Sequence, residues 1–211
     1  MDKIPKRVPS DSSPLSFAQL RLWILQQLMP GSSVYNMHEA VQIRGAIDPL
    51  LLKKALTEIV ARHEILRTTF ACDKQDPVQK IHPPYEVELP IERASNLQRA
   101  EEIAQEETIR PFDLEKGPLF RVRLIRLAKE DHILLCTMHH IISDGWSLGI
   151  IIKEVMALLE AFAQNLPSPL QPLPIQYSDF AVWQKEWLNG EILENQIAYW
   201  KNELADRKSV V

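Results

Sequence analysis

The stretch Ile133-Leu134-Leu135-Cys136-Thr137-Met138-His139-His140-Ile141-Ile142-Ser143-Asp144-Gly145-Trp146-Ser147-Leu148 decides how the rest of the chain is read. From Ile133 to Ile142 it is nearly continuously apolar, the mark of a strand covered on both faces, and it is expected to be the central strand of a sheet. Gly145 breaks the run. Beyond it Leu148, Ile151, Ile152, Val155, Leu158 and Leu159 recur at helical spacing up to about Gln164. The local order is therefore strand, sharp turn, helix, with His139 and His140 beside the turn. Successive strand side chains point to opposite faces, so the two histidines cannot serve one site equally.

Working outward, Leu119 to Leu127 alternates apolar residues with Arg121, Arg123 and Arg126 and reads as a half-exposed strand. Met37 to Arg44, Thr68 to Phe70 and Val78 to Ile81 read as further strands. Ser16, three residues before Gln19, predicts a capped helix carrying Leu20, Trp23, Ile24 and Leu28 and stopped by Pro30-Gly31. Asp48-Pro49 opens a second helix to about Arg62, with Leu52, Ala55, Leu56, Ile59 and Val60 as its buried stripe. Leu97 to Ile109 is a polar helix closed by Pro111. Residues 1–14 lack periodicity and read as a flexible tail, and 15–165 form the folded lobe. Residues 166–211 begin with a connector holding four prolines between Leu166 and Pro174. Two short helices follow, around Asp179 to Leu188 and Glu191 to Leu204, with Trp183, Trp187 and Trp200 as apolar anchors.

A chain of 211 residues, 45% hydrophobic and 25% charged, is long enough to bury a core. Its formal charge of -4 argues against nucleic acid and anionic membranes as partners, since both select basic faces. Cys72 and Cys136 make no CxxC pair, and no segment has signal-peptide or membrane-spanning character, so a cytoplasmic location is expected.

A histidine at the end of a central strand, before a glycine turn into a helix, is placed to act as a general base or as an orienting acceptor. Taken alone it is more often a satisfied core residue; within His-His-x-x-x-Asp-Gly the chemical reading is the better one. Asp144 suits a helix N-cap, and a second role is an ion pair with a buried arginine, for which Arg62 and Arg67 are the candidates. Gly145 is expected to permit a backbone conformation and a close approach that a side chain would block. The N–H groups of the following helix start offer an oxyanion site. Metal binding is disfavoured because the histidines diverge and no His-Glu-x-x-His occurs. No Gly-x-Ser-x-Gly elbow and no glycine-rich phosphate loop is present.

Four segments resemble, in order, the signatures of the condensation domains of nonribosomal peptide synthetases. They are Ser16-Phe17-Ala18-Gln19-Leu20-Arg21-Leu22-Trp23, Arg62-His63-Glu64-Ile65-Leu66-Arg67-Thr68-Thr69-Phe70, Met138 to Ser147, and Tyr177-Ser178-Asp179-Phe180-Ala181-Val182-Trp183. The resemblance covers roughly Leu15 to Leu204. It implies an α+β fold, a single chloramphenicol acetyltransferase-like lobe with a mixed β-sheet flanked by helices and a C-terminal helical connector. It further implies that His140 contacts the attacking α-amine, that His139 is structural, and that Asp144 pairs with Arg67. The retained histidine pair and Trp146 favour condensation over epimerisation or cyclisation.

The implied reaction is attack of an aminoacyl amine on an acyl or peptidyl thioester, both carried on the 4'-phosphopantetheine arms of carrier proteins, with no cofactor bound directly. A complete domain of the family has two such lobes with the site between them, so this chain resembles the N-terminal one. A C-terminal lobe, and an adenylation domain downstream, are the implied neighbours, and the chain alone is expected to be inactive or nearly so. The alternatives are a stand-alone trimeric acyltransferase with its site at the interface between copies and a non-catalytic module that binds carrier proteins.

Overall fold

In the computed structural model, which describes residues 4–8, 10, 12–74 and 76–205, the first half of the chain runs β1 (Ser12–Pro14), α1 (Phe17–Leu28), β2 (Asn36–Arg44), α2 (Pro49–Arg62), a 3₁₀ turn (Glu64–Arg67), β3 (Thr68–Asp73) and β4 (Asp76–Ile81). Then follow β5 (Ile91–Arg93), α3 (Leu97–Ile109), β6 (Phe120–Ala128), β7 (Asp131–His139), α4 (Gly145–Ala163), α5 (Tyr177–Trp187) and α6 (Gly190–Leu204). One sheet has the order β2-β7-β6-β5 and the other β1-β4-β3. All pairs are antiparallel except β5 with β6, so the four-stranded sheet is mixed, as the α+β single-lobe reading implies.

Strand β7 is central because both of its faces are covered. Leu134, Cys136 and Met138 join Leu56 and Ile59 of α2 and Val155 and Leu158 of α4 in the main core. Leu135 points the other way, onto Ile125 and the α3 residues Ala100 and Ile103. A strand with helices on both sides needs apolar residues at every position, which is why period-2 alternation is missing here and present in β6. Helix α2 buries the five residues its stripe predicts, and Asp48 caps it by accepting from the Leu50 N–H at 2.8 Å.

Four expectations are revised. Strand β7 stops at His139, so His140 to Ile142 form a turn rather than its last residues. The His140 N–H still donates in register to Tyr35 O at 2.8 Å, but the chain then folds back, with the Ile142 N–H donating to His139 O. Helix α1 buries Gln19, Leu22 and Gln26, while Ile24 and Leu28 are exposed. The 1–14 tail contains β1, paired with β4, and Arg7 binds Glu64 at 3.1 Å and Asp179 at 3.2 Å. Helix α6 buries no residue, and Trp200 is exposed rather than an anchor. No helix among the described residues is long and apolar enough to cross a membrane.

Arg7 ties the N-terminal arm to α5. Its backbone N–H and its guanidinium both reach Asp179 Oδ1, and the Gln176 N–H donates to Oδ2 at 2.7 Å. Burial alone would raise the Asp179 carboxyl, but the backbone N–H groups of Gln176 and Arg7 and the Arg7 guanidinium outweigh it and hold it below the usual carboxylate range. Replacing Arg7 by Met leaves Asp179 its two backbone donors but removes the charge partner of a carboxylate whose side chain is 5% exposed, and is expected to cost on the order of 3 kcal/mol in urea unfolding. Because the folded value is lowered, this contribution is complete above the unfolded carboxylate pKa and fades as pH falls through the lowered value. Asp179→Asn is expected to remove that acid-dependent component, measured as the unfolding midpoint from pH 7 downward.

Candidate active site

The turn between β7 and α4 is built from its own backbone and fastened from outside. Ile141, Ile142 and Ser143 are buried, which obliges their polar groups to find partners. The Gln19 amide donates to Ile141 O at 3.4 Å and to Gln79 Oε1 at 3.2 Å. Gln19 is itself held by the capping box, with Ser16 N on its Oε1 and its own N–H on Ser16 Oγ. Gln79 donates on to Pro14 O. A chain of buried amides thus connects β1, β4 and α1 to the residue after His140.

Two hydrogen bonds assign opposite tautomers to the histidines. His139 is fully buried, and its Nδ1 accepts the Ile141 N–H at 3.0 Å, so the ring proton of the neutral form sits on Nε2. That Nε2 has no hydrogen-bond partner among the described residues, and the ring packs beside those of Tyr35 and Phe112. Burial, and secondarily the neighbouring His140, lowers the His139 pKa to about 4. His140 is exposed, and its Nδ1 lies 2.7 Å from Ser143 O. A carbonyl only accepts, so Nδ1 carries the proton and the Nε2 of the neutral ring presents its lone pair.

The other predicted residues are placed differently. Asp144 does not pair with Arg67 or Arg62. Its Oδ1 accepts from Ser147 N at 2.8 Å and Ser147 Oγ at 2.6 Å, and the Ser147 hydroxyl, ahead of its N–H, keeps the carboxyl below its usual range. Arg67 turns with the 3₁₀ segment toward the His82 carbonyl and Glu64. Arg62, at the end of α2, meets Glu154 at 3.0 Å and donates to Gln171 O. Glu154 lies ten residues along α4 from Asp144, about 15 Å at 1.5 Å per residue, out of reach of one arginine serving both. Gly145 has helical backbone, and a Cβ there meets nothing within 4 Å, so no conformational need within this chain explains it. Asp144 also accepts two of the N–H groups expected to serve an oxyanion, from Ser147 by its carboxylate and from Leu148 by its carbonyl.

His140 opens onto a cleft of about 590 Å³. Its walls include Leu66, Ile150, Ile151, Tyr177 and Phe180, and the N-terminal arm contributes Ile4. Sequence reasoning missed Glu154 and His63 as cleft residues. The Arg62-His63 motif was a signal for one, but nothing in the spacing linked it to a glutamate ninety-one residues away. Among the described residues no group of three or more His, Cys, Asp and Glu side chains is gathered to hold a metal ion.

The sequence profile described as "Condensation domain" matches residues 10–211. A linear gramicidin synthase polypeptide of Brevibacillus parabrevis is 46% identical over 204 residues, 93% of this chain and 3% of that protein. Phosphinothricin tripeptide synthetase PhsC of Streptomyces viridochromogenes is 39% identical over 215 residues, 99% of this chain and 20% of that one. Among solved structures, the X-domain in its complex with OxyB from teicoplanin biosynthesis is similar with a TM-score of 0.90 at 30% identity, covering 98% of this chain and 46% of that one. The starter condensation domain of rhizomide synthetase RzmA shares the fold with a TM-score of 0.85 at 24% identity, covering 95% and 49%. The chain therefore spans less than half of these solved chains and a small part of the synthetases.

Two outcomes are expected of the turn. Below pH ~6.5 the unfolded chain takes a proton at His139 that the folded chain accepts only near 4. Stability is therefore lost as pH falls between these values, by about 3 kcal/mol at most. His139→Gln is expected to flatten that part of the stability-against-pH curve. Asp144→Ala is expected to cost about 1 kcal/mol, the size of a lost N-cap, with Asp144→Asn close to wild type in thermal unfolding.

Proposed function

The chain belongs to the condensation-domain family, and we propose on that premise that His140 serves amide-bond formation between two carrier-borne thioesters. One observation carries the reading: Nδ1–H is committed to Ser143 O, which leaves the Nε2 lone pair directed from an exposed ring that lines the cleft. An α-amine attacking a thioester carbonyl forms a C–N bond and breaks the C–S bond. The amine gives up a proton and the departing sulfur gains one. A neutral imidazole acceptor orients the amine and can take its proton, a contribution of roughly 10²–10⁴-fold where it acts as base. His139, neutral and sealed, adds no positive charge beside it.

The substrates are proposed to arrive on 4'-phosphopantetheine arms of carrier proteins, in keeping with the names of the relatives, which are synthases and synthetases. A cytoplasmic location fits this supply. A second lobe is proposed to face the cleft. Trp146, at the first turn of α4, is 82% exposed, and α6 shows Ile192, Leu193, Ile197 and Trp200 on its surface. These residues offer apolar surface for such a lobe, and a lobe closing over the cleft itself would exclude water from the thioesters, which hydrolysis otherwise consumes. The likeness to the X-domain, solved in complex with OxyB, favours one second reading: a docking module without turnover.

The 211-residue chain mixed with loaded carrier proteins is expected to give no product above background. Joined to the second half of a linear gramicidin synthase condensation domain it is expected to condense them. His140→Ala in that fusion is expected to lower kcat at least ~100-fold with the fold intact by circular dichroism. Turnover unaffected by that substitution overturns the role of His140; a well-folded fusion that docks carriers without turnover supports the docking reading.

A further inference from the structure

The cleft contains a second histidine whose hydrogen bonding is as constrained as that of His140. His63 Nε2 lies 2.6 Å from Glu154 Oε2, and Glu154 Oε1 receives Arg62 Nε at 3.0 Å. A carboxylate held by a guanidinium only accepts, so Nε2 is the donor and the neutral ring presents Nδ1 as a lone-pair acceptor. Nδ1 has no hydrogen bond to a described residue and is not among the buried atoms lacking a partner, so it is accessible. His63 and Glu154 both line the cleft, with Ile65, Leu66, Ile150 and Ile151 around them.

The geometry points to His63 Nδ1 as a specificity determinant that accepts an amide N–H from a peptidyl chain bound in the cleft. This rests on the reading of the cleft as the substrate site. Its physical basis is the cost of covering an acceptor. A ligand laid across an apolar wall removes water from Nδ1, and one that offers no donor leaves it unpaired. A saturated acyl chain has no donor at that place, whereas a peptide backbone has one at each residue. The Arg62-Glu154-His63 triad joins α2 to α4 in any case; its further consequence is to lock the tautomer that discriminates.

Two substitutions separate recognition from clamping. His63→Gln keeps a donor near the position of Nε2, toward Glu154, and removes the acceptor at Nδ1. His63→Asn keeps an oxygen near Nδ1 and gives up Glu154. Binding of two probes to the 211-residue chain is measured by NMR titration: the N-acetylcysteamine thioesters of N-acetyl-leucyl-glycine and of octanoic acid. The wild type is expected to prefer the dipeptidyl probe. His63→Gln is expected to weaken that probe about fivefold or more, the equivalent of one neutral hydrogen bond, and to leave the octanoyl probe within about twofold. His63→Asn is expected to retain the preference. A wild type without preference, a His63→Gln variant that keeps the preference, or a His63→Asn variant that loses it overturns the inference alone. A wild type that binds neither probe overturns the reading of the cleft, and the inference with it.

Discussion

The double-sided burial of β7 is the constraint on which the remainder depends. A strand enclosed by α2 and α4 on one face and α3 on the other has no freedom to shift register, because a one-residue slip would exchange its two apolar faces. His139, its last residue, therefore lands in the interior, opposite Asn36 of β2. The chain must then leave the sheet at His140. It does so through a buried turn whose carbonyl and amide groups have few places to go, and two of them go to imidazole nitrogens.

The chemistry of the site follows from that limited choice. The same turn donates a backbone N–H to one histidine and offers a carbonyl to the other, so neighbouring rings of identical composition become opposite tautomers. One is withdrawn from titration by burial, and the other keeps a lone pair at the cleft. The amide chain through Gln19 and Gln79 then fixes the turn to the small sheet, so helix α1 and strands β1 and β4 support the turn that carries His140. The Asp144 carboxylate serves the helix start, and the arginines of the second motif serve Glu64 and Glu154 instead. Motif residues that lie side by side in a family signature need not touch one another; several here hold separate junctions of the same scaffold.

The N-terminal arm illustrates how a segment without pattern becomes structural. Residues before Leu15 show no periodicity because β1 is three residues long and lies at a sheet edge, and Arg7 acts through its head group and its own backbone N–H. Its partners, Glu64 and Asp179, come from two distant motifs. Such a contact leaves no trace in local composition. Strand β5, three residues in the one parallel pair, was invisible for the same reason.

Most long elements were legible from periodicity and caps. The capping box at Ser16, the Asp48-Pro49 start, the α2 stripe, the unbroken apolar run of β7 and the helix after Gly145 each express a local rule that the tertiary structure did not override. That the two histidines would be placed differently was legible as well, from the need for adjacent side chains to diverge, whereas the choice between them came from the family resemblance. Tertiary structure alone decided the rest: where β7 ends, which nitrogen of each ring holds the proton, which carboxylate each arginine meets, and that His63 with Glu154 shares the cleft. Arg7, Arg62 and His63 meet partners 57 to 172 residues away, and the histidine tautomers are set by backbone groups that every residue possesses. Side-chain patterns record which face of an element is apolar, but not the direction in which a distant helix delivers its polar atoms.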